Sequence, residues 1–168
     1  KEEFVAMVVE AGKNLHPKHP FDPSAPMGAM VDEGHMHTVL KFIDTAKTEG
    51  ATLALGGERV MTETGGYYIA PTVFDDVAHE MTISKQEIFG PVLSVIGFDD
   101  ENDALRMAND TDFGLAAGVW TANLSRAHRV ARKLRAGSVW VNYWDGGDMT
   151  APFGGFKQSG NGRDKSLH

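Results

Sequence analysis

Residues 92–142 read VLSVIGFDDENDALRMANDTDFGLAAGVWTANLSRAHRVARKLRAGSVWVN, and from Val92 onward the pattern alternates regularly. Three short apolar runs, at 92–98, 115–121 and 138–142, alternate with two segments of helical periodicity. The first run is apolar enough for a strand that is buried on both faces. A β-α-β-α-β order favours parallel strands joined by right-handed crossovers. The stretch therefore predicts an α/β sheet covered by helices.

Both helices of this stretch carry start and stop signals. Asp99 and Asp100 can cap the first helix, and Asn123 can cap the second. Gly137 follows the basic last turn of the second helix and is expected to end it. The residues expected to face inward are Ala104, Leu105 and Ala108 in the first helix and Leu124, Ala127, Val130, Ala131 and Leu134 in the second.

The chain before this stretch is predicted to hold two helices separated by a loop. Phe4, Val8 and Ala11 recur at helical spacing, and four prolines exclude regular helix from residues 14–27. The second helix is expected from Asp32 to Lys47, with Gly50 as its stop and strands near 52–55 and 67–70 after it. Its expected buried stripe consists of Met36, Val39, Leu40, Ile43 and Ala46.

Composition limits the classes of protein to which the chain can belong. Its 168 residues suit one domain, and 42% apolar and 23% charged residues are ordinary for a globular protein. The formal charge of −7 without a basic patch argues against nucleic acid as a partner, and no apolar run is long enough to span a bilayer. The absence of cysteine excludes disulfides and thiol catalysis within the sequence and favours a cytoplasmic origin.

Topology alone predicts where a ligand binds. In open α/β sheets, ligands bind beyond the carboxyl ends of the strands. Asn142 and the loop 143–155 leave the third strand at that end, and the loop is rich in Gly and Asp and carries Trp144 and Phe153. His35-Met36-His37 does not predict a metal site, because residues two apart on a helix face different ways.

Four motifs, in their order and spacing, carry a family resemblance: Glu87-Ile88-Phe89-Gly90-Pro91, Asn109 to Ala117, Ala136 to Asn142, and Pro152 to Gly160. Together they resemble the aldehyde dehydrogenase superfamily, over essentially the whole chain. The resemblance implies a three-layer α/β/α catalytic domain with a mostly parallel sheet, as a single domain over residues 1–168. Residues 147–152 and 159–166 look most like the branch of γ-glutamyl-γ-aminobutyraldehyde and 4-guanidinobutyraldehyde dehydrogenases, which act in polyamine breakdown.

The resemblance assigns candidate cofactor residues. It implies that the carboxylate of Glu87 holds the nicotinamide ribose hydroxyls of NAD or NADP, a task for which an acceptor of two hydroxyl donors is suited. It implies that the ring of Phe89 packs beside the nicotinamide. Near His35 and Thr38 the family often places a Gln and a Lys that reach the adenosine ribose; the sequence departs from both, and His35 is the remaining candidate for that contact.

The candidate substrate residues follow in the same way. Phe153 matches an aromatic residue that lines the aldehyde tunnel, and Tyr143, Trp144 and Asp145 match the loop that shapes substrate choice, with Asn142 at its start. Carboxylates at Asp145 and Asp148 beside aromatic rings can stabilise a distal ammonium or guanidinium on the aldehyde. The alternative is that these two residues solvate a turn, because Asp-Gly pairs are common turn formers.

The resemblance also implies what lies outside the sequence. The family's chemistry needs a thiolate that attacks the aldehyde, a Glu-activated water and a dinucleotide-binding domain. These are expected upstream of Lys1, and a tail that builds a dimer or tetramer is expected after His168. We therefore expect a fragment that is inactive alone, without tightly bound cofactor. The alternative from another class is a free-standing, non-catalytic binding module that reuses the fold.

Overall fold

A computed structural model describes residues 1–166 of the chain. The chain divides into two compact units, one covering Lys1–Gly97 and the other beginning at Phe98. The prediction of a single domain over the whole chain stays a prediction. In the part of the chain that the structure describes, no helix is long and apolar enough to cross a membrane.

The first unit combines three helices with a three-stranded sheet and a small hairpin. Its elements are α1 (Glu2–Lys13), α2 (Glu33–Glu49), β1 (Thr52–Leu55), β2 (Arg59–Val60), β3 (Tyr68–Ile69), β4 (Thr72–Asp75), α3 (Thr82–Lys85) and β5 (Val92–Ser94), with a short 3-10 turn at Thr62–Thr64. The sheet order is β1–β4–β5, with β4 antiparallel to β1 and parallel to β5. β2 and β3 form the antiparallel hairpin.

Helix α2 supplies four of the nine buried residues in the core cluster of this unit. Its N-cap is Asp32, whose side chain accepts a hydrogen bond from the backbone of His35, and it ends at Gly50 in the left-handed conformation. Four residues of the expected stripe are fully buried and Leu40 is partly buried, which confirms the prediction for this helix. Burying each large side chain contributes about 1.5–3 kcal/mol before the entropy of ordering it is subtracted. The fully buried residues of α2 are Met36, Val39, Ile43 and Ala46.

Helix α1 packs differently from its prediction. Phe4 is 56% exposed, and the buried residue of the helix is Gly12. A Cβ placed on Gly12 would lie 2.6 Å from Leu55 Cδ2 in β1. The helix therefore approaches the sheet through its smallest residue, so the expected apolar face at Phe4 is wrong.

The second unit combines two helices with two strand pairs. Its elements are α4 (Glu101–Asn109), β6 (Phe113–Gly114), β7 (Ala116–Val119), α5 (Leu124–Lys133), β8 (Ser138–Val141) and β9 (Phe156–Lys157). β7 and β8 pair in parallel with α5 between them, as predicted, and β6 pairs antiparallel with β9. The caps are confirmed: Asp100 accepts from the backbones of Asn102 and Asp103, and Asn123 accepts from that of Arg126.

The observed strands and helices differ in several details from the predicted α/β arrangement. The class is confirmed, and the sheets are mixed: among the described strands, two pairs are parallel and three are antiparallel. Short loops such as the one in the β2–β3 hairpin permit only antiparallel pairing. The strand expected over 92–98 ends at Ser94, and Leu93 is 47% exposed, because β5 is an edge strand paired with β4 alone. Leu124, at the start of α5, is 73% exposed instead of facing inward.

Candidate functional site

The segment that links α3 to β5 carries two of the candidate cofactor residues. Phe89 has φ +55°, a left-handed conformation that is uncommon for a residue with a side chain. Its ring is 79% exposed. The next residue, Gly90, lies so close to α2 that an added Cβ would be 2.8 Å from a methyl carbon of Val39. The backbone is thus held against the helix while the ring points away from the core.

His35 comes to the same place from the first turn of α2. Its Nε2 lies 2.7 Å from the carbonyl oxygen of Phe89, and the two rings meet edge to face with centroids 6.2 Å apart. Because a carbonyl only accepts, the Nε2 of His35 donates this hydrogen bond. His37 turns instead toward Glu33, with 3.8 Å between its Nε2 and the Glu33 carboxylate. The prediction that the two histidines face different ways is confirmed.

Glu87 and Thr38 differ in whether their side chains are free to bind a cofactor. The Glu87 side chain is exposed, and within residues 1–166 its carboxylate has no hydrogen bond or ion pair. Thr38 Oγ1 donates to the carbonyl of Gly34 inside α2 at 3.0 Å. An exposed carboxylate without a partner, two residues from an exposed aromatic ring, can bind a ribose joined to a flat heteroaromatic ring. In the first unit, His35 contacts Phe89, Glu87 lies two residues before Phe89 in the same segment, and the Thr38 hydroxyl is bound within its own helix.

In the second unit, the loop after β8 begins at a second strained residue. Asn142 has φ +53°, and its side-chain amide bonds twice to the main chain of Thr121. Oδ1 accepts from the Thr121 amide at 2.8 Å, and Nδ2 donates to the Thr121 carbonyl at 3.0 Å. The amide thus extends the β7–β8 pairing by one rung and fixes where the loop leaves the sheet.

Aromatic contacts hold the first turn of this loop. The ring of Trp144 lies 5.0 Å from that of Trp140 and 6.5 Å from that of Trp120, centroid to centroid. Trp140 Nε1 donates to the carbonyl of Gly146 at 2.9 Å. The ring of Tyr143 covers Gly146, where an added Cβ would lie 2.3 Å from Tyr143 Cε1. The turn is therefore fixed by contacts on both of its sides.

A cavity of about 240 Å³ lies beneath this turn. Its lining includes Trp140, Asp145, Asp148, Phe153 and Lys165. Of the predicted substrate residues, Asp145 and Phe153 line the cavity. Asn142, Tyr143 and Trp144 do not line it; they shape the loop above.

Charges of both signs border the cavity. Lys165 Nζ lies 5.3 Å from the centroid of the Phe153 ring, a cation–π contact. In the described chain, neither this ammonium nor the Asp145 carboxylate has an ion-pair partner. The backbone amide and then the hydroxyl of Thr150, each 2.8 Å from Asp148 Oδ1, lower the pKa of the Asp148 carboxyl below its usual value. Asp148 is consequently ionised at neutral pH.

The sequence does not indicate that Trp140 and Lys165 line the cavity. Its pattern predicts only a strand at Trp140, and the position of this residue in the cavity wall depends on the register in which it pairs with Gly118. Lys165 reaches the cavity because Asp164 and Phe153 form a β-bridge, with both backbone hydrogen bonds between them made at 2.7–2.8 Å. No local pattern in the sequence marks that bridge.

Comparisons with known proteins show the family of the chain. The chain belongs to the aldehyde dehydrogenase family, which it matches over residues 1–168. A curated relative, the NADP/NAD-dependent aldehyde dehydrogenase PuuC of Escherichia coli K12, is 48% identical over 167 residues. That alignment covers 99% of this chain and 33% of the relative, so the chain spans about a third of the length of the proteins it matches.

Solved structures of aldehyde dehydrogenases are also similar to this chain. The indole-3-acetaldehyde dehydrogenase AldA of P. syringae, in complex with NAD+ and IAA, is 60% identical with a TM-score of 0.98, covering 100% of this chain and 34% of that one. The γ-glutamyl-γ-aminobutyraldehyde dehydrogenase of Burkholderia cenocepacia J2315 is 55% identical with a TM-score of 0.95, covering 99% and 34%. The predicted fold class and the resemblance to the γ-glutamyl-γ-aminobutyraldehyde dehydrogenase branch are thereby confirmed.

Proposed function

We propose that the chain forms part of an enzyme that oxidises an aldehyde to the carboxylic acid with NAD+ or NADP+. The observation that carries the proposal is the free Glu87 carboxylate beside the exposed ring of Phe89, in a chain that matches the family throughout. When bound, the nicotinamide would accept the hydride. The chain contains no cysteine, so a covalent thiol step requires residues outside this sequence, and we propose that the chain alone is inactive.

Within this proposal, the residues of the first unit bind and orient. The Glu87 carboxylate can accept hydrogen bonds from two neighbouring ribose hydroxyls, which fixes the sugar and the base attached to it. The Phe89 ring offers an apolar face against which a flat ring can stack. His35 completes this group of residues through its hydrogen bond to the Phe89 carbonyl.

We propose further that the substrate is an aldehyde with a distal ammonium or guanidinium. This proposal is supported by the lining of the cavity, which includes Asp145, Asp148, Trp140 and Phe153. The ammonium of Lys165 already lies over Phe153, which supports the view that this cavity accommodates a cation. Asp145 and Asp148 are both exposed, so a single pairing contributes under about 1 kcal/mol, and selectivity for a cation requires the two carboxylates and the aromatic rings to act together.

A second candidate substrate class is an aldehyde with a neutral aromatic group. The Trp140 and Phe153 rings of the cavity favour it, and AldA is named as an indole-3-acetaldehyde dehydrogenase. The two classes differ in charge and so respond differently to salt. Attraction between a cation and carboxylates weakens as the Debye length shortens, whereas apolar stacking does not.

The experiment compares kcat/KM of a full-length enzyme containing this chain for four aldehydes at low and high salt. The aldehydes are 4-aminobutanal, 4-guanidinobutanal, pentanal and indole-3-acetaldehyde. We expect the two cationic aldehydes to exceed pentanal by at least about tenfold at low salt, and the difference to shrink at high salt. Equal values for cationic and neutral aldehydes would remove the cation site and leave the oxidation itself in place.

The alternative is a non-catalytic binding module, and one measurement separates it from an enzyme. If a full-length protein containing the chain forms no NADH or NADPH with any of the four aldehydes, the enzyme proposal fails. We also propose that the enzyme is a homodimer or homotetramer and is located in the cytoplasm. Sedimentation of the full-length protein and fractionation of the cells that make it test these two statements.

A further inference from the structure

The contact between His35 and Phe89 joins two residues that are 54 positions apart. Phe89 adopts a left-handed φ of +55°, and its ring is mostly exposed. Burial of the ring therefore does not hold this conformation. The described polar contact on Phe89 is the hydrogen bond from His35 Nε2 to its carbonyl oxygen at 2.7 Å.

The neighbouring residues fix the rest of the turn without holding Phe89 itself. Gly90 lies against Val39, and its carbonyl accepts from the Val92 amide at 2.8 Å. The carbonyl of Pro91 accepts from the Thr72 amide at 2.8 Å, which ties the segment into β4. The peptide between Phe89 and Gly90 is thus anchored on its Gly90 side by packing and on its Phe89 side by His35.

His35 is itself rigidly placed. Its backbone amide donates to Asp32 Oδ1 at 2.7 Å, so the residue belongs to the capped first turn of α2. Its ring also meets the Phe89 ring edge to face. A neutral imidazole whose Nε2–H is donated keeps only Nδ1, an acceptor, for any other partner.

From this geometry we propose that His35 is a positioning residue for Phe89. By holding the Phe89 carbonyl, it keeps the backbone in the left-handed conformation and aims the aromatic ring. This reassigns His35 from a direct contact with the adenosine ribose to an indirect role at the nicotinamide. The inference rests on the proposed function, in which the Phe89 ring stacks against that group.

The first test detects the hydrogen bond between His35 and the Phe89 carbonyl by NMR, without any enzymatic reaction. Nitrogen-15 spectra of the chain should show the Nε2–H tautomer for His35 and a coupling across the hydrogen bond to the Phe89 carbonyl. His35→Ala should abolish that coupling and shift the amide resonance of Gly90. His37→Ala, on the same helix two residues away, should leave the Gly90 resonance unchanged. A His35 ring in the Nδ1–H tautomer would overturn the proposal.

The second test measures the consequence in the full-length enzyme. His35→Ala should slow pre-steady-state NADH formation about five- to tenfold, the scale of one hydrogen bond, while the Kd for NAD+ changes less than about twofold. His35→Gln, which can still donate to the carbonyl, should recover most of the rate, and His37→Ala should match the wild type. A His35→Ala variant that loses NAD+ affinity at an unchanged rate would show a direct ribose contact instead. Wild-type enzyme that forms no NADH with any aldehyde would overturn both proposals, whereas a normal wild type with an unaffected His35→Ala overturns this one alone.

Discussion

The side-chain amide of Asn142 pairs with the main chain of Thr121 through two hydrogen bonds, at 2.8 and 3.0 Å. This pairing continues the parallel register of β7 and β8 past Val141. It uses one of the two N–H donors and one of the two oxygen lone pairs of the Asn142 amide and fixes the orientation of that amide. We therefore propose that Asn142 sets the position of the loop that covers the cavity.

Two substitutions at Asn142 distinguish the effect of its side-chain amide from the effect of its backbone conformation. Asn142→Gly tolerates the φ of +53° but removes both hydrogen bonds, and Asn142→Ala removes both and adds strain. We expect each to lower the free energy of unfolding by about 1 kcal/mol or more and to raise KM for the aldehyde, with Ala the worse. Asn161→Ala, an exposed asparagine elsewhere in the second unit, is the control. An unchanged KM in Asn142→Gly would show that the amide does not position the loop.

Local signals in the sequence predicted much of the fold. The periodic stripe of α2 is buried except for the partly buried Leu40, and the predicted capping residues Asp100 and Asn123 accept the backbone hydrogen bonds expected of them. These predictions are confirmed because a helix and its cap depend on residues within one turn of each other. The loop over residues 14–27 follows for the same reason, since proline acts on its own backbone.

The site could be predicted only in part, because its contacts join distant residues. The motif around Glu87 identified the segment, but the hydrogen bond from His35 depends on a left-handed turn at Phe89 that no local pattern indicates. Lys165 likewise enters the cavity through a β-bridge between Phe153 and Asp164. Pairings of this kind depend on tertiary packing, which periodicity does not record.

Gly137 has a structural role that differs from the helix stop predicted for it. The sequence predicts it as the stop of α5, yet the helix ends at Lys133 and Leu134 already has extended backbone angles. A Cβ on Gly137 would lie 1.6 Å from the carbonyl oxygen of Gly154. The glycine is needed because another stretch of backbone passes directly over it.

Gly137→Ala should therefore destabilise the second unit. The backbone at residue 154 has to move, and overpacking of this kind costs about 1–3 kcal/mol or more. Gly28→Ala is the matched control, because nothing lies within 4 Å of a Cβ there. Urea unfolding of both variants measures the difference, and equal midpoints for Gly137→Ala and wild type would contradict the close approach.

Glu87→Gln tests the proposed ribose contact. The substitution keeps the shape of the side chain and removes its charge, so charge-assisted hydrogen bonds become neutral ones. We expect pre-steady-state NADH formation in the full-length enzyme to fall by about tenfold or more. Glu63→Gln, in the exposed turn before β3, is the control for loss of one negative charge. An unaffected rate in Glu87→Gln would assign Glu87 to a surface turn.

The Asp148 carboxyl gives a prediction for pH dependence. Hydrogen bonds from Thr150 lower its pKa below the usual 3.8, so the carboxylate stays charged as the pH falls from neutral. Its contribution to stability is complete above the unfolded value and is lost only as the pH falls through the lower folded value. Thr150→Val removes the hydroxyl donor and should raise the pKa of Asp148, as carbon-13 titration of the carboxyl can measure. The preference for cationic over neutral aldehydes should accordingly be flat from about pH 8.5 to 5.5, and a preference that disappears within that range would exclude Asp148 as its source.

If the cavity binds the cationic end of the substrate as proposed, the ammonium of Lys165, which lies 5.3 Å from the centroid of the Phe153 ring, competes with it for that ring. Lys165→Gln removes this cation from the cavity and frees the face of the Phe153 ring. We expect kcat/KM for 4-guanidinobutanal to rise about three- to tenfold relative to pentanal, and the gain to shrink with salt. Lys133→Gln, which removes the same charge from the exposed end of α5, should leave the ratio unchanged. Adding Asp145→Asn to Lys165→Gln should reverse most of the gain. If Lys165→Gln instead lowers the ratio, Lys165 supports the cavity and does not compete for it.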